Sequence, residues 1–216
     1  SIDIMANNIS QLISQMTREG VLDHREIWSW SWGDRATCNQ LFRAIFRSVD
    51  STFEQYHHLP EYEDIIAWMI STQDKGLLLM GDCGRGKSVI LNGVLPVLFR
   101  MKNRVLQPVH AQDMGREIPD QQTFRSHRPW LYIDRLLHSS FPAIDELGVE
   151  PMLNDYGERY EGFNLVLNAA ERYHRPVFIT TNLCEEQIYN RYGERTMDRL
   201  AHLCRSVHFS GESLRK

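Results

Sequence analysis

Residues 81 to 88 read Gly81-Asp82-Cys83-Gly84-Arg85-Gly86-Lys87-Ser88, which matches the complete pattern G-x-x-x-x-G-K-[ST] of a phosphate-binding loop. An apolar run, Gly76 to Met80, stands directly before this loop, and a segment that fits a helix, Ser88 to Met101, follows it. Buried parallel strands have short apolar sequences of this kind. The stretch therefore predicts a strand, a phosphate-binding turn and a helix in succession.

The chemistry expected of this loop is the binding of ATP with Mg²⁺. Backbone N–H groups of a glycine-rich turn can surround phosphate oxygens, and the helix N-terminus adds roughly half a positive charge. Lys87 would reach the β and γ phosphates, and the Ser88 hydroxyl would hold Mg²⁺. The candidate nucleotide-binding residues are Gly81, Asp82, Cys83, Gly84, Arg85, Gly86, Lys87, Ser88 and Val89. The alternative is a glycine turn that joins strand and helix and binds nothing.

The composition of the 216 residues is that of a soluble globular protein, with 42% hydrophobic and 24% charged residues. No stretch approaches the ~20 apolar residues needed to cross a bilayer, and residues 1 to 20 lack the features of a signal peptide. We therefore expect a cytoplasmic protein with no membrane partner. The net charge of −4 argues against coating of nucleic acid through bulk charge, and leaves local basic patches open.

The cysteines and histidines do not predict a metal site. No C-x-x-C spacing occurs among the cysteines, which are Cys38, Cys83, Cys184 and Cys204. We expect reduced thiols, with neither zinc nor a disulfide. Adjacent histidines, such as His57 and His58, do not converge on one ion, and no third ligand follows His202 and Cys204 at a suitable spacing.

The chain divides into two regions of different character, residues 1 to 72 and residues 73 to 216. Apolar residues recur at helical spacing in the first region, which predicts a small helical N-terminal region that could bind a partner. These residues are Ile9, Leu12, Ile13 and Met16, then Leu41, Phe42, Ile45, Phe46 and Val49, and finally the segment Tyr62 to Ile70. Gly20 is the expected end of the first helix.

Three tryptophans, Trp28, Trp30 and Trp32, alternate with serines between the first two helical segments. If this segment is extended, the three rings lie on one side of it. Because aromatic side chains bury a large area, we interpret them as covering an edge of the hydrophobic core. A surface for docking a partner is the alternative.

From residue 73 onward, apolar runs alternate with helical segments, which is typical of a parallel sheet wrapped by helices. We therefore predict an α/β fold of the P-loop NTPase class, with a five-stranded parallel sheet flanked by helices. The clearest helix spans Gly162 to His174 and ends before Pro176. The expected strands are Leu77–Met80, Val105–Ala111, Ser140–Ile144, Val177–Thr181 and Val207–Phe209.

Hydrolysis also requires an acidic pair at the tip of a neighbouring strand, and Asp145-Glu146 supplies one. Asp145 would hold Mg²⁺ through its coordinated water, and Glu146 would polarise the attacking water. Pro142, in the preceding run, is unusual for a central strand because proline removes a ladder hydrogen bond. The competing run Leu131 to Asp134 lacks a following glutamate and also fits an amphipathic helix, so we favour Asp145-Glu146.

The predicted strand Val177–Thr181 ends in a polar cluster, which should emerge beside the acidic pair. Asn182 could hydrogen-bond the attacking water or the γ-phosphate, and so report whether that phosphate is present. Alternatively, Asn182 is a turn residue or the N-cap of the helix that follows. Position alone does not separate these interpretations, and the two preceding motifs favour the first.

Several short motifs follow the phosphate loop along the chain. They are Asp145-Glu146-Leu147-Gly148, Asn154-Asp155-Tyr156-Gly157, Glu171-Arg172-Tyr173, Thr180-Thr181-Asn182-Leu183, Gly193 to Leu200 and Gly211 to Arg215. In this order they resemble the ATPase core shared by DnaC-type helicase loaders and IstB-type transposition helpers, of the initiator branch of the AAA+ superfamily. The resemblance spans residues 76 to 215 and implies an ATPase.

The resemblance implies roles for three arginines and, with them, a homo-oligomer. Arg199 matches an arginine finger, which enters a neighbouring subunit's ATP site and stabilises charge developing on the γ-phosphate. Arg195, one helical turn earlier, is the alternative finger. Arg215 matches an arginine that senses phosphate within its own subunit. Without such roles, these are solvated arginines on a polar helix and tail.

The chain departs from the family pattern in three places. Arg85 replaces a small residue of the phosphate loop, and could clash with the phosphates or add to the charge there. Only seven residues follow Phe209, so the helical lid of AAA+ proteins must be truncated. Residues 1 to 72 match neither the helicase-binding region of the loaders nor the N-terminal region of the transposition helpers.

The resemblance also implies partners, namely a replicative helicase or a transposase. ATP-dependent self-assembly would occur on DNA or on a DNA-bound protein. Single-stranded DNA is a possible ligand of the segment before the acidic pair, where Phe124 could stack on a base while Arg125 and Arg128 contact phosphates. A solvated loop is the alternative for that segment.

Two other functional classes share a phosphate loop. A small-molecule kinase also needs an acceptor pocket and a mobile lid rich in arginine, and the sequence shows no lid-sized insertion after the loop. A non-hydrolysing, nucleotide-gated adaptor would normally lack Glu146 or the arginine finger. Both remain alternatives to an ATPase.

Overall fold

The computed structural model describes residues 2–19, 21–22, 28–50, 56–116, 130–155 and 157–214. The helices are α1 Ile2–Arg18, α2 Arg35–Val49, α3 Pro60–Ile70, α4 Lys87–Val89, α5 Leu95–Met101, α6 Leu131–His138, α7 Gly162–Arg172, α8 Glu185–Tyr192 and α9 Glu194–Leu203. The strands are β1 Gly76–Gly81, β2 Val109–His110, β3 Ala143–Leu147, β4 Leu153–Asp155, β5 Glu158–Tyr160, β6 Phe178–Thr181 and β7 Cys204–Phe209.

Five strands form one parallel sheet in the order β2-β3-β6-β1-β7, which confirms the predicted α/β fold. Strand β1 is buried between β6 and β7, as its apolar sequence requires. Strand β6 lies between β1 and β3. The phosphate loop after β1 and the acidic pair in β3 therefore meet at the carboxyl edge of the sheet, with the end of β6 between them.

Two predicted strands were placed wrongly, and proline explains both errors. The second strand is Val109–His110 instead of Val105–Ala111, and the third is Ala143–Leu147 instead of Ser140–Ile144. Each begins directly after a proline, which has no N–H to donate to the sheet. Asp145 and Glu146 thus lie within a strand that Pro142 precedes.

Smaller differences affect the other predicted elements. The last strand begins at Cys204 instead of Val207, and the fourth begins at Phe178 instead of Val177. The segment Leu131–His138, which contains the competing acidic run, is a helix, as the amphipathic pattern indicated. A two-stranded antiparallel hairpin, β4 and β5, was not predicted.

The predicted helix from Ser88 to Met101 has nearly these bounds, but it is not uniform. A single π-helical turn, Ile90–Val94, separates α4 from α5. Pro96, in the first turn of α5, cannot donate a hydrogen bond to the carbonyl of Asn92. This missing donor explains why the regular helical ladder is interrupted here.

The described part of residues 28 to 72 shares one hydrophobic core with the sheet. Phe42 of α2 and Trp68 of α3 belong to the same buried cluster as Leu77 and Leu79 of β1. The division into domains at residues 72 and 73 stays a prediction. On α1, Ile9 and Leu12 of the predicted apolar stripe are exposed, while Gly20 lies outside the described residues.

The three tryptophans cover an edge of this core, as predicted. The backbone N–H groups of Trp28, Trp30 and Trp32 donate hydrogen bonds to the end of α3 and the segment after it, at the Asp74 carboxylate, the Thr72 hydroxyl and the carbonyl of Met69. Alternate residues therefore face the core, and all three rings pack against its buried cluster.

Candidate nucleotide-binding site

The phosphate loop has a backbone conformation that favours glycine at three of its positions, the first of which is Gly81 with a φ of 116°. Gly84 and Gly86 have φ angles of 75° and 90°, in the left-handed region. Space is also restricted, because a Cβ added to Gly86 would lie 2.9 Å from the Tyr62 hydroxyl oxygen. The loop is therefore fixed by its own glycines and by the packing of α3 beneath it.

Lys87 is buried at the base of this loop. Its ammonium group donates hydrogen bonds to the carbonyl oxygens of Gly81 and Asp82, over 2.8 and 2.6 Å. The same group lies 5.9 Å from the ring centroid of Phe209, at the end of β7. The loop thus holds one positive charge at the carboxyl edge of the sheet.

The Asp145 carboxylate is the centre of a hydrogen-bond network that reaches the phosphate loop. Its Oδ1 accepts hydrogen bonds from the Ser88 hydroxyl, over 2.9 Å, and from the Thr180 hydroxyl. Its Oδ2 accepts a hydrogen bond of 2.7 Å from the Asn92 amide. Both predicted metal-binding residues, Ser88 and Asp145, are therefore brought together, with oxygen atoms that suit Mg²⁺.

Glu146 has a backbone conformation that is rare for a residue with a side chain, with a φ of 60°. Its N–H donates a hydrogen bond of 2.8 Å to the Thr180 hydroxyl, at the point where the pairing of β3 with β6 is irregular. Its side chain is about half exposed, and Oε2 lies 3.2 Å from Nε2 of His110. The carboxylate is therefore accessible to solvent and contacts His110, the last residue of β2.

Sequence reasoning missed three residues of this network, Asn92, His110 and Thr180. Asn92 follows Ser88 by one helical turn, a spacing that could have indicated it. His110 ends β2, whose bounds were predicted wrongly. Thr180 was visible as part of the polar strand end, although only the structure shows that its hydroxyl faces Asp145.

Arg85 points away from the loop and pairs with a buried carboxylate on α3. Its guanidinium donates to Oε1 of Glu61 over 2.7 and 3.0 Å, and to the carbonyl of Glu212 over 3.2 Å. Burial opposes ionisation of Glu61, but hydrogen bonds from backbone N–H groups, including that of Ser210, and from Arg85 outweigh it and lower the pKa of this carboxyl. Arg85 therefore links the loop to α3 and to the segment after β7.

The segment after β7 packs across the phosphate loop. The N–H of Gly211 donates to the Asp82 carboxylate over 2.9 Å, and the N–H of Leu214 donates to the carbonyl of Gly84 over 3.0 Å. This packing is tight, since a Cβ on Gly84 would lie 2.0 Å from the Ser213 hydroxyl oxygen. Arg215, the predicted phosphate sensor, lies outside the described residues.

The remaining site candidates lie outside this hydrogen-bond network. Asn182 is exposed directly after β6, and the N-cap of α8 is Cys184, so the N-cap interpretation of Asn182 was wrong. On α9, Arg199 pairs with Glu171 of α7 over 2.5 Å, whereas Arg195 is exposed. The predicted DNA contacts Phe124, Arg125 and Arg128 lie outside the described residues.

The described ranges contain no group of three or more metal-ligating side chains of histidine, cysteine, aspartate or glutamate. Cys38, Cys83, Cys184 and Cys204 are free thiols in the structure. Burial raises the pKa of Cys204 to about 12. Among the described helices, none has the length and apolar character that a membrane span requires.

Solved structures with a similar fold include the DnaC helicase loader and DnaI. The DnaC helicase loader matches with a TM-score of 0.53 and 16% identity, over 76% of this chain and 98% of that one. DnaI matches with a TM-score of 0.55 and 18% identity, over 78% and 94%. A protein of Streptococcus pyogenes serotype M3, described as a primosome component, matches with a TM-score of 0.48 and 22% identity, over 80% and 81%.

The similarities to DnaC and DnaI establish the fold of the chain, which is the P-loop fold of those two structures. No family model and no curated protein sequence matches the chain.

Proposed function

We propose that this chain is a Mg²⁺-dependent AAA+ ATPase of the DnaC helicase-loader type. The observation that carries the proposal is the hydrogen bond between the Ser88 hydroxyl and the Asp145 carboxylate. It joins the phosphate loop, which also carries the buried residue Lys87, to the acidic strand. A hydroxyl, a carboxylate and a fixed positive charge are the groups that a magnesium nucleotide needs.

Each residue of this site would have a separate role in ATP hydrolysis. Lys87 would hold the β and γ phosphates, while Ser88 and Asp145 hold Mg²⁺. When bound, Mg²⁺ would neutralise charge on the phosphate oxygens. Glu146 would polarise the attacking water, and Asn182, at the end of β6, would orient it.

The topology favours hydrolysis over phosphate transfer to a small molecule. Because β6 separates β1 from β3, the polar end of β6 lies between the phosphate loop and Glu146. Polar groups in this position suit the binding of a water molecule instead of a bulky acceptor. A kinase would transfer phosphate to nucleosides or nucleotides, and a screen for such transfer tests this alternative.

Assembly with itself would complete the site. Arg199 or Arg195, both on α9, would reach a neighbouring subunit's ATP and stabilise charge on the γ-phosphate. In the single chain Arg199 is paired with Glu171, so this arginine would have to exchange partners on assembly. Arg195 is exposed and needs no such exchange.

A replicative helicase is the proposed partner, because one solved structure with this fold is a helicase loader. A transposase is the alternative partner, and single-stranded DNA is a further proposed ligand. Affinity capture from native cells in ATP and in ADP would distinguish a helicase from a transposase.

The function is tested by the ATPase activity of Glu146→Gln with and without single-stranded DNA. We expect turnover to fall by about 10²- to 10⁴-fold, the usual contribution of a general base. Undiminished turnover would remove Glu146 from the mechanism. Tight ATP binding without turnover in the wild-type protein, even with DNA and the partner, would instead support a nucleotide-gated adaptor.

A further inference from the structure

We propose that Thr180 is the positioning residue that holds Asp145 and Glu146 in their working arrangement. Its hydroxyl is shared by the two acidic residues. It donates a hydrogen bond to Oδ1 of Asp145 and accepts one of 2.8 Å from the N–H of Glu146. This inference rests on the proposed function, because it assigns a task within the same site.

The position of Thr180 in the sheet fixes the direction of its hydroxyl group. The residue is 1% exposed and lies on β6, which is hydrogen-bonded to both β1 and β3. A buried carboxylate oxygen that accepts from two hydroxyls has a fixed direction. The Asp145 carboxylate is thereby aimed at Ser88 instead of rotating about its own side-chain bonds.

The second hydrogen bond of Thr180 supports the unusual backbone of Glu146. A φ of 60° is unfavourable for glutamate and persists only where the surroundings enforce it. The register of β3 against β6 is interrupted at this point, so the Glu146 N–H bonds to a side chain. Without the hydroxyl, this N–H would be left without its acceptor, and the peptide could rotate and turn the carboxylate away.

One hydroxyl therefore couples the metal-binding carboxylate to the water-polarising residue. Replacement of Thr180 by valine keeps the shape and burial but removes both hydrogen bonds, while replacement by serine keeps the hydroxyl. Outer partners of metal ligands typically contribute about 10- to 100-fold to metal affinity or activity. We expect a loss of this size in Thr180→Val and recovery of most of it in Thr180→Ser.

The neighbouring residue Thr181 offers a matched control. It is also 1% exposed, and its hydroxyl also makes two hydrogen bonds, to the carbonyl of Leu147 over 2.6 Å and from the N–H of Leu183 over 3.1 Å. Neither partner belongs to the site. Thr181→Val should lower the melting temperature about as much as Thr180→Val, with little effect on the response to Mg²⁺.

The experiment measures how far ADP raises the melting temperature as Mg²⁺ is titrated, and in parallel the ATP turnover of each variant. We expect Thr180→Val alone to require about 10- to 100-fold more Mg²⁺ for half of the shift. Equal Mg²⁺ dependence in the wild type, Thr180→Val and Thr181→Val would overturn the role of Thr180, while wild-type turnover would still support the ATPase. A Mg²⁺-dependent shift without wild-type turnover, even with DNA and the partner, would instead contradict the ATPase, and the effect of Thr180→Val on the Mg²⁺ requirement would still test the role of Thr180.

Discussion

The hydroxyl oxygen of Ser88 lies 2.9 Å from Oδ1 of Asp145, across the gap between the phosphate loop and β3. Ser88 follows β1 and Asp145 lies in β3, and β6 lies between these two strands in the sheet. The sheet topology therefore brings together two oxygen groups that are 57 residues apart in sequence.

Ser88→Ala should separate nucleotide binding from the effect of Mg²⁺. Because the variant loses one of the two predicted metal ligands, we expect its affinity for ATP to be near that of the wild type in EDTA. With Mg²⁺ present, its affinity should be at least about 10-fold weaker than that of the wild type. Calorimetric titration measures both, and Ser206→Ala, at an exposed position on β7, is the control. If Mg²⁺ changes the ATP affinity of Ser88→Ala as much as that of the wild type, Ser88 does not bind the metal.

His110→Ala should lower turnover without weakening ATP binding. Nε2 of His110 lies 3.2 Å from Oε2 of Glu146, so its loss frees the side chain that we expect to polarise water. We predict a fall in kcat of about 10-fold with KM unchanged, and a smaller fall in His110→Asn, which retains a donor. The exposed residue His138 provides a control substitution to alanine. Equal kcat for wild type and His110→Ala would exclude this positioning role.

Glu61→Ala should destabilise the protein strongly near neutral pH. Its partner Arg85 would be left buried without a counter-charge, which typically costs about 3–5 kcal/mol. Chemical denaturation at several pH values measures the free energy of unfolding. Arg35→Ala, which breaks an exposed ion pair with Glu63, is the control and should cost less than about 1 kcal/mol.

The contribution of Glu61 should also depend on pH in a defined direction. Because the pKa of Glu61 is lowered in the folded protein, its ionised form stabilises the fold above the unfolded-state pKa of about 4.3. This stability is lost as the pH falls through the lower, folded-state pKa. The difference between wild type and Glu61→Gln should therefore be constant at neutral pH and shrink under acid conditions. A difference that grows on acidification would show that the sign of the pKa shift is wrong.

Arginine fingers can be tested by mixing subunits. A variant with Arg199→Ala supplies an intact ATP site, and a variant with Lys87→Ala supplies an intact finger, so the mixture should recover activity that neither has alone. We expect Arg199→Ala to lower turnover by about 10³-fold or more if it is the finger. The same mixture with Arg195→Ala decides between the two residues. If neither Arg199→Ala nor Arg195→Ala regains ATP turnover when mixed with Lys87→Ala, the ATP site is not completed by an arginine of a neighbouring subunit.

Much of the fold could be predicted because the strands of a parallel sheet are apolar on both faces. The runs at β1 and β6 stand out for this reason. Strand ends were harder, because the start of β2 and of β3 is set by a proline and not by hydrophobicity. The π-helical turn before Pro96 also has no periodic signal.

The site was predictable where a motif fixes local backbone and chemistry together, as in residues 81 to 88. The partners of Arg85 could not be predicted from the sequence, because Glu61 and Glu212 lie far from it along the chain and contact it only in the folded protein. The role of Thr180 could not be predicted for the same reason, because the direction of its hydroxyl depends on the position of β6 between β1 and β3.

Calorimetric titration of the wild type and Lys87→Ala with ATP and Mg²⁺ tests whether residues 81 to 88 bind a magnesium nucleotide. We predict saturable binding by the wild type and about 10- to 100-fold weaker binding by Lys87→Ala, the loss expected for one charged hydrogen bond. Absence of binding heat in the wild type, or equal affinity in the two proteins, would contradict binding of the nucleotide by this loop.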